Sequence, residues 1–441
     1  MLIFDPYEKN SLKQDPRVSM LGRWEIHYLA FQGPEDNQKP PMIVLGGAFQ
    51  NFTSYRFFVS DVLEITSVIL VDLPSLGNNS QLASDLGLED LADLLYHWLV
   101  QEQVEKVSLM GLSLGSVVAS TFAFKRPELA DRLIMTGTLS KPRRSWRMLL
   151  EESMRVLDEQ RMTEFGEAVV LYLVNHARLK ETGIPEVACR LFRRQMRSFS
   201  ENEQERYRIN ARRLLAVEEV LGYPSCPTVV ATGDYDSFTL PYENALFASH
   251  CPNGIFALIE GADHLPQLER RDATVGMFCA FLREQDIGDV EGIRKLTRDE
   301  SLALERRGEP RFALHDPVAY VLSFSHVDGS VQVDAPVTIV DINFFGCLLK
   351  YEDVVFTVQE YARGLILCLP ESLRIEMLVF ERGDGWMRCL FKHGSFVLAE
   401  EFNRLLADEN FCTQLPVGDN VGATSLHRPQ LTSAKTSFSL R

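Results

Sequence analysis

A serine between two glycines is the strongest candidate for chemistry in this chain. The sequence Gly-Leu-Ser-Leu-Gly at 111–115 follows an apolar run at 106–110 and precedes small, helix-compatible residues at 116–119. G-x-S-x-G between a strand and a helix holds a nucleophilic serine on a sharp turn. Flanking glycines suit a turn with no room for side chains, and N–H groups at the helix start can stabilise an oxyanion. We therefore predict Ser113 as nucleophile and the Leu114 N–H as an oxyanion donor; a glycine-rich turn without chemistry is the alternative.

A serine nucleophile needs a base that is itself oriented by a carboxylate. Two later strand-like runs end just before Asp236 and His264. This gives the order serine, acid, histidine, each just past a strand, that accompanies this type of serine turn. We predict His264 as the base and Asp236 as the acid, because the acid usually closes a G-x-x-D turn. Asp234 is the alternative acid, and Asp263 is expected to anchor its loop.

A second oxyanion donor is expected from the loop after an early strand. The sequence Gly-Gly-Ala-Phe at 46–49 follows the apolar run 42–45. We assign the Ala48 N–H to this role, with Gly47 allowing the backbone to approach the substrate. A tight strand-exit turn without a ligand is the alternative.

These candidates require strands whose ends lie together. Continuous apolar runs are typical of parallel strands buried on both faces, and such strands need right-handed helical crossovers. The runs lie at 42–46, 68–72, 107–110, 133–136, 228–232 and 255–259. The strand pattern stops at about 141–221, where a helical lid is expected. The fold class predicted for residues 1–283 is α/β, with a mostly parallel sheet.

A chain of 441 residues is too long for one hydrophobic core, so a second domain is expected. Residues 284–303 are polar and charged and are interpreted as a linker. Short β-runs punctuated by Gly and Asp predict a small antiparallel β-barrel at 304–411. The tail at 412–441, rich in polar residues, is expected to be disordered.

Residues from about 40 to 283 resemble the α/β-hydrolase superfamily. Gly-Gly-Ala at 46–48, Val-Asp-Leu-Pro at 71–74 and Gly-Asp-Tyr-Asp-Ser-Phe-Thr at 233–239 resemble its 3-hydroxyacyl-carrier-protein acyltransferase branch. This resemblance implies a 3-hydroxyacyl donor carried by acyl carrier protein or coenzyme A. The chain departs from the branch in one respect: Leu112 and Leu114 flank the serine, where the branch often has a bulky aromatic residue.

The expected lid is basic within an acidic chain. Between residues 141 and 213 there are sixteen Lys and Arg against eleven Asp and Glu. The arginines that group on helix faces are Arg143, Arg144, Arg147, Arg190, Arg193, Arg194 and Arg197. They are interpreted either as solvated helix surfaces with mixed-sign pairs or as a docking face for an acidic carrier protein or coenzyme A phosphates.

The expected second domain contains Arg-Arg-Gly-Glu-Pro-Arg at 306–311 and Asp-Ile-Asn-Phe-Phe-Gly at 341–346. These segments resemble the RxxxR and [D/N]xSxxG motifs of PilZ domains, which bind cyclic di-GMP. The resemblance implies a ligand site formed by Arg306, Arg307, Arg311, Asp341, Asn343 and Gly346. Arginine forks suit phosphates and guanine edges. Asn343 replaces the family serine, so a degenerate barrel that does not bind the dinucleotide is the alternative.

Charge and cysteine content exclude several other classes. The net charge of −16 argues against binding to nucleic acid polymers, which requires cations. No apolar run is long enough for a membrane span, and no secretory signal is visible. The eight cysteines show no paired spacing, so a metal site is not expected and a cytoplasmic location is favoured.

The sequence therefore predicts a serine-triad acyl hydrolase or acyltransferase that acts on an ester or thioester. No cofactor is expected for catalysis, and cyclic di-GMP is expected as a regulatory ligand. Two alternatives remain: a carboxylesterase of small esters, and a cyclic di-GMP-responsive scaffold whose hydrolase fold is vestigial.

Overall fold

The computed structural model describes residues 2–35, 39–138, 140–306, 309–324, 331–352, 364–369 and 373–416. It divides into two units. The sheet unit comprises Met1–Glu309 and Lys392–Asn403, and the barrel unit comprises Pro310–Phe391 and Arg404–Arg441. We call Lys392–Asn403 the return segment, because here the chain leaves the barrel unit and rejoins the sheet unit.

The sheet unit is built on nine strands in the order β1-β2-β4-β3-β5-β6-β7-β8-β9. They are β1 (Arg17–Leu21), β2 (Trp24–Phe31), β3 (Met42–Leu45), β4 (Val68–Asp72), β5 (Val107–Leu112), β6 (Ala130–Thr136), β7 (Thr228–Gly233), β8 (Gly254–Ile259) and β9 (Ile293–Leu296). The six central strands from β4 to β8 are parallel, while β1, β2 and β9 pair antiparallel. The expected mostly parallel sheet is confirmed.

Helices cover both faces of this sheet and bury apolar side chains against it. The helices are α1 (Val59–Leu63), α2 (Leu88–Gln101), α3 (Leu114–Lys125), α4 (Arg144–Asp158), α5 (Met162–Leu173), α6 (Leu179–Thr182), α7 (Glu186–Arg197), α8 (Glu201–Ala216), α9 (Pro241–His250), α10 (Pro266–Glu269), α11 (Arg271–Leu282) and α12 (Arg298–Leu302). Trp98 and Phe122 are fully buried in the core on one face, and Phe58 and Phe278 in that on the other. Helices α4–α8 lie between β6 and β7, where the helical stretch was expected.

The barrel unit contains a closed antiparallel ring. Its strands are β10 (Phe312–Leu314), β11 (Val318–Phe324), β12 (Val331–Asn343), β13 (Gly346–Lys350), β14 (Leu365–Cys368), β15 (Arg374–Gly383), β16 (Trp386–Phe391) and β17 (Cys412–Gln414). Six of them close in the order β11-β14-β15-β16-β13-β12 because β12 pairs again with β11, and β10 and β17 extend from β12. The predicted small antiparallel barrel is confirmed. A further helix, α13 (Phe396–Leu406), follows β16.

Three predicted boundaries were wrong. Residues 284–303 are not a linker: they contain β9, which pairs with β8, and α12, and they belong to the sheet unit. Their charged side chains cover an outer surface, while Ile287 and Ile293 are buried in the core. The barrel unit begins at Pro310 rather than 304, and the return segment interrupts it. The tail begins later than residue 412, since β17 pairs with β10; residues 417–441 lie outside the described part of the chain.

Of the helices in the described residues, none is both long and apolar enough to cross a membrane.

Candidate active site

Ser113 lies between β5 and α3, on the turn that the sequence predicted. Its backbone has φ 52° and ψ −116°, a conformation that is costly for any residue other than glycine. A Cβ at Gly111 would lie 2.5 Å from the Ser116 Cα, and one at Gly115 would lie 2.1 Å from the Leu45 carbonyl oxygen. Both glycines are therefore required by backbone packing around the strained serine.

The three predicted triad residues meet in one hydrogen-bonded chain. His264 Nε2 lies 3.0 Å from Ser113 Oγ, and His264 Nδ1 lies 2.9 Å from Asp236 Oδ2. Asp236 and His264 are 1% and 7% exposed, so water is largely kept from the base and the acid. In this arrangement the imidazole can remove the serine proton while the carboxylate holds the ring in the required tautomer.

Asp236, rather than Asp234, is the carboxylate in contact with the histidine. Its two oxygens also accept hydrogen bonds from the Thr232 and Thr239 hydroxyls and from the backbone N–H groups of Phe238 and Thr239. Burial would raise the pKa of Asp236, but the charge and hydrogen bond of His264 and these other donors outweigh it and lower the pKa. Asp234 instead accepts a hydrogen bond from Gly261 N at 2.9 Å.

Asp263 anchors the loop that carries the histidine, as expected. One of its oxygens accepts from His264 N at 2.7 Å, and the other accepts from Asn175 N. Burial, followed by the nearby charges of Asp236 and Glu269, raises the pKa of Asp263. The residue therefore links the backbone of His264 to that of Asn175 through its two carboxylate oxygens.

Ser113 and His264 open into a pocket of the sheet unit. The pocket has a cavity volume of about 150 Å³. Gly47, Ala48 and Leu114 line it beside the serine, and a Cβ at Gly47 would lie 3.2 Å from Ser113 Cβ. The two segments assigned to the oxyanion hole therefore lie beside the position at which a substrate carbonyl would meet Ser113. The role of their N–H groups stays a prediction.

Most of the pocket wall is apolar and comes from the helices between β6 and β7. The apolar lining from these helices consists of Leu149, Leu150, Val156, Phe165, Ala168, Val169, Leu173, Phe192, Ala211 and Leu214. A surface of this kind favours an aliphatic group.

One part of the pocket wall was not predicted from the sequence. Lys392, His393 and Gly394, at the start of the return segment, line the same pocket. They lie almost a hundred residues beyond β9, the last strand of the sheet in chain order, in a stretch assigned from its β-runs to the second domain. Nothing in their local pattern marks them as pocket residues.

The model of the alpha/beta hydrolase family matches residues 43–277, which is more than half of the chain. The chain belongs to the alpha/beta hydrolase family. The match ends before β9 and does not include the return segment.

Individual relatives of this hydrolase are distant. It is 25% identical over 154 residues to a pimeloyl-[acyl-carrier protein] methyl ester esterase of Vibrio campbellii, a match that covers 34% of this chain and 57% of that relative. The chain therefore spans little more than half the length of this curated relative.

Solved structures support the fold of the sheet unit. An alpha/beta hydrolase enzyme from a Medee basin deep-sea metagenome library aligns with a TM-score of 0.55 and 16% identity, over 61% of this chain and 98% of that chain. The enol-lactonase from Burkholderia xenovorans aligns with a TM-score of 0.52 and 15% identity, over 60% of this chain and 100% of that chain.

Several arginines of the helical insertion stabilise the hydrolase itself. Arg143 pairs with Glu243 at 2.6 Å, and Arg147 donates to the Leu215 carbonyl oxygen at 2.6 Å. Arg193 and Arg197 both pair with Glu167. These four form contacts within the hydrolase. Arg144, Arg190 and Arg194 are exposed, as is Arg197, and Arg190 also pairs with Glu186 on its own helix. The expected positive docking face is therefore smaller than the arginine count indicates.

The Asp-Leu-Pro segment after β4 has a local structural role. Asp72 is buried and its Oδ2 accepts from Asn78 N at 2.7 Å. Gly77 has φ +53°, and a Cβ there would lie 2.0 Å from Asp72 Oδ1. Burial raises the pKa of Asp72 to about 7, against the lowering effects of the Asn78 N–H and the charge of Arg206.

Within the barrel unit, an ion pair joins the two motifs, and a local turn closes the second motif. Arg311 pairs with Asp341 at 2.7 Å. Asn343 Oδ1 accepts from Phe345 N and Gly346 N, both at 2.9 Å, and so closes the turn between β12 and β13. A Cβ at Gly346 would lie 2.3 Å from the Cys389 carbonyl oxygen. The asparagine and glycine are thus explained by turn and strand geometry without a ligand.

Two further arginines belong to the predicted dinucleotide site. Arg306 belongs to the sheet unit, where its guanidinium lies 4.8 Å from the centroid of the Tyr242 ring. Arg307 lies outside the described residues.

Proposed function

We propose that this hydrolase is a serine acyl enzyme that cleaves an acyl ester or thioester through a covalent intermediate on Ser113. The observation that carries the proposal is the hydrogen-bonded chain of Ser113, His264 and Asp236 at one side of an apolar pocket. The apolar pocket would hold the acyl group, and the hydrogen-bonded chain would activate the serine.

The steps follow from this geometry. His264 Nε2 removes the proton of Ser113 as the hydroxyl oxygen attacks the acyl carbonyl carbon. The backbone N–H groups of Ala48 and Leu114 hold the resulting oxyanion. The imidazolium, stabilised by Asp236, protonates the leaving alcohol or thiol. Water, or a hydroxyl or thiol acceptor, then displaces the acyl group from the serine with His264 acting again as base.

The donor that we propose is an acyl group on acyl carrier protein or coenzyme A, of which a 3-hydroxyacyl group is one candidate. A curated relative is named as an esterase of an acyl-carrier-protein ester, which supports a carrier-linked acyl substrate. The exposed Arg190 and Arg194 on α7 are suited to an acidic carrier or to phosphates. A carboxylesterase of small esters is the competing candidate, and the apolar lining of the pocket favours an aliphatic acyl group.

A substrate panel tests the proposal. Acetyl and octanoyl p-nitrophenyl esters, octanoyl-coenzyme A and a 3-hydroxyacyl-carrier-protein thioester would be compared for kcat/KM. Ser113→Ala should abolish turnover of every active donor, whereas Ser120→Ala, on the same helix and bonded only to the Val117 carbonyl oxygen, should keep it. Turnover that survives in Ser113→Ala would overturn the serine mechanism. No turnover of any donor by the wild type would favour a scaffold with a vestigial hydrolase fold.

We also propose that the barrel unit binds cyclic di-GMP as a regulatory ligand. The supporting observation is that Arg311 is held by Asp341 with its side chain 30% exposed, so that its guanidinium is oriented yet partly open to solvent. Regulation would require that the dinucleotide bind two arrangements of the chain with different affinity. Initial rates of the full chain with and without the dinucleotide test that requirement.

A further inference from the structure

The return segment is fixed to the sheet unit by buried polar contacts. Lys392 Nζ lies 2.8 Å from Glu152 Oε1 on α4, with side chains only 6% and 13% exposed. Burial would raise the pKa of Glu152, but its hydrogen bonds with Arg155 and the charge of Lys392 lower it. Removing one partner of such a pair is costly because it leaves a buried charge. The pair therefore holds the start of the segment against α4.

Two further contacts fix the segment against α5. Glu167 Oε2 accepts from Phe396 N at 2.7 Å, at the first turn of α13. The Tyr172 hydroxyl is hydrogen-bonded to the backbone of His393. A Cβ at Gly394 would lie 2.6 Å from Glu164 Cγ. The segment is thus closely fitted to the helix that supplies much of the apolar lining.

Phe396 places the segment next to the catalytic loop. It packs on the cluster of Val170, Val174, Cys189 and Leu265, the last of which directly follows His264. The Arg193 guanidinium lies 4.0 Å from the centroid of its ring. The wall is therefore anchored to the same cluster as the loop that carries the base.

These contacts carry an inference that rests on the proposed function. We propose that Lys392, His393 and Gly394 form a specificity-determining wall that limits the size of the acyl group accepted by Ser113. The family match ends at residue 277, so this wall is an addition of this chain to the family segment. In the chain it directly follows β16, the last strand of the closed ring.

His393 is the side chain best suited to a test. It is 5% exposed, lines the pocket, and its ring lies 6.3 Å from that of Phe402. Replacing it by alanine removes the ring and enlarges the space for the acyl chain. Phenylalanine at the same position restores an aromatic ring of similar size, so it separates loss of the wall from loss of the imidazole.

The experiment compares full-length wild type, His393→Ala and His393→Phe on acetyl, butyryl, octanoyl and dodecanoyl p-nitrophenyl esters. We expect His393→Ala to raise the kcat/KM ratio of dodecanoyl to acetyl ester by about tenfold, since a few methylene contacts are worth that much. His393→Phe should return the ratio towards wild type. Val397→Ala, on the exposed side of α13, is the matched control and should leave the ratio unchanged.

The outcomes separate the two proposals. If Ser113→Ala abolishes acetyl ester cleavage but the ratio is the same in wild type and a folded His393→Ala, the wall proposal is wrong and the serine mechanism stands. Cleavage that persists in Ser113→Ala would overturn the mechanism instead. If His393→Ala proves unfolded by its thermal melt, His393→Leu supplies the test: it removes the ring but keeps an apolar side chain and leaves the buried Lys392–Glu152 pair intact. It should shift the ratio in the same direction by a smaller factor, and an unchanged ratio would overturn the wall proposal.

Discussion

The two motif-bearing regions of this chain differ in how their motif residues come together. In the sheet unit, Ser113 and His264 are 151 positions apart in sequence and 3.0 Å apart in space. In the barrel unit, one pair, Arg311 and Asp341, joins residues 30 positions apart, while Asn343 contacts residues two and three positions away. The long-range convergence has no role in turn geometry, whereas the local contacts are accounted for by the turn they form. Convergence of distant polar residues is therefore the stronger indication of chemistry.

The largest effects are expected from substitutions in the group of Ser113, His264 and Asp236. His264→Ala should lower kcat by about 10⁵- to 10⁶-fold, and Asp236→Asn by about 10⁴-fold, because each removes part of a unit that acts together. Asp234→Asn is the matched control: its side chain bonds only to loop backbone, and an amide oxygen can replace that contact. Steady-state kinetics on one active ester measures all three.

The acid assignment depends on the relative size of these losses. A severe loss in Asp234→Asn with a mild one in Asp236→Asn would contradict it, and would mean that the observed hydrogen bond to His264 is not the one used in turnover.

A smaller effect concerns a local motif of the sheet unit, the Asp72 loop. Folded Asp72 keeps its proton up to about pH 7, whereas the unfolded carboxyl loses it near pH 4. The wild type therefore loses stability as the pH rises from about 4 to about 7, a loss on the order of 4 kcal/mol that Asp72→Asn avoids. Urea unfolding at pH 4 and pH 8 measures this. The free energy of unfolding of Asp72→Asn, relative to that of the wild type, should be higher at pH 8 than at pH 4.

Asp131→Asn provides a control of opposite sign. Burial would raise the pKa of Asp131, but hydrogen bonds from Arg132 and Lys106 lower it, so the folded state gains stability as the pH rises through the acid range. The free energy of unfolding of Asp131→Asn, relative to that of the wild type, should therefore be lower at pH 8 than at pH 4. The same stability difference at both pH values for Asp72→Asn would show that its carboxyl titrates normally.

The smallest expected effect is that of a substitution in the barrel motif on cyclic di-GMP binding. If cyclic di-GMP binds, Arg311→Ala should weaken it by about 10- to 150-fold, which corresponds to the loss of about 1.5–3 kcal/mol for a charge-assisted contact. Arg388→Ala, which removes another barrel arginine paired with Glu381, should have little effect. Calorimetry on the full chain decides between these outcomes. Absence of binding by the wild type would mean that Asp341, Asn343 and Gly346 serve only the strand and turn.

The sequence predicted the elements whose pattern follows directly from burial. The central strands are buried on both faces and therefore consist of unbroken apolar runs, and the Ser113 turn has a strict glycine requirement. Three strands of the sheet unit were missed: β1 and β2 carry polar residues among their apolar ones, and β9 exposes Arg294 and Lys295. Strands of this kind are hard to distinguish from loops by composition alone.

Long-range features could not be predicted for a different reason. The return segment joins the sheet unit through Lys392 with Glu152 and Phe396 with Glu167, contacts that depend on the whole fold. A charged residue after a strand has the same local pattern whether it faces solvent or a buried partner. For the same reason, the sequence of α7 does not indicate which of its arginines pair with Glu167.

Mass spectrometry of the acyl enzyme would show directly whether Ser113 is the nucleophile. The full chain would be mixed with an active acyl ester, quenched within one turnover, and digested for peptide mapping. The account predicts a mass increase of one acyl group, located on Ser113 and absent from Ser113→Ala. An adduct on another residue, or turnover that continues in Ser113→Ala, would contradict it.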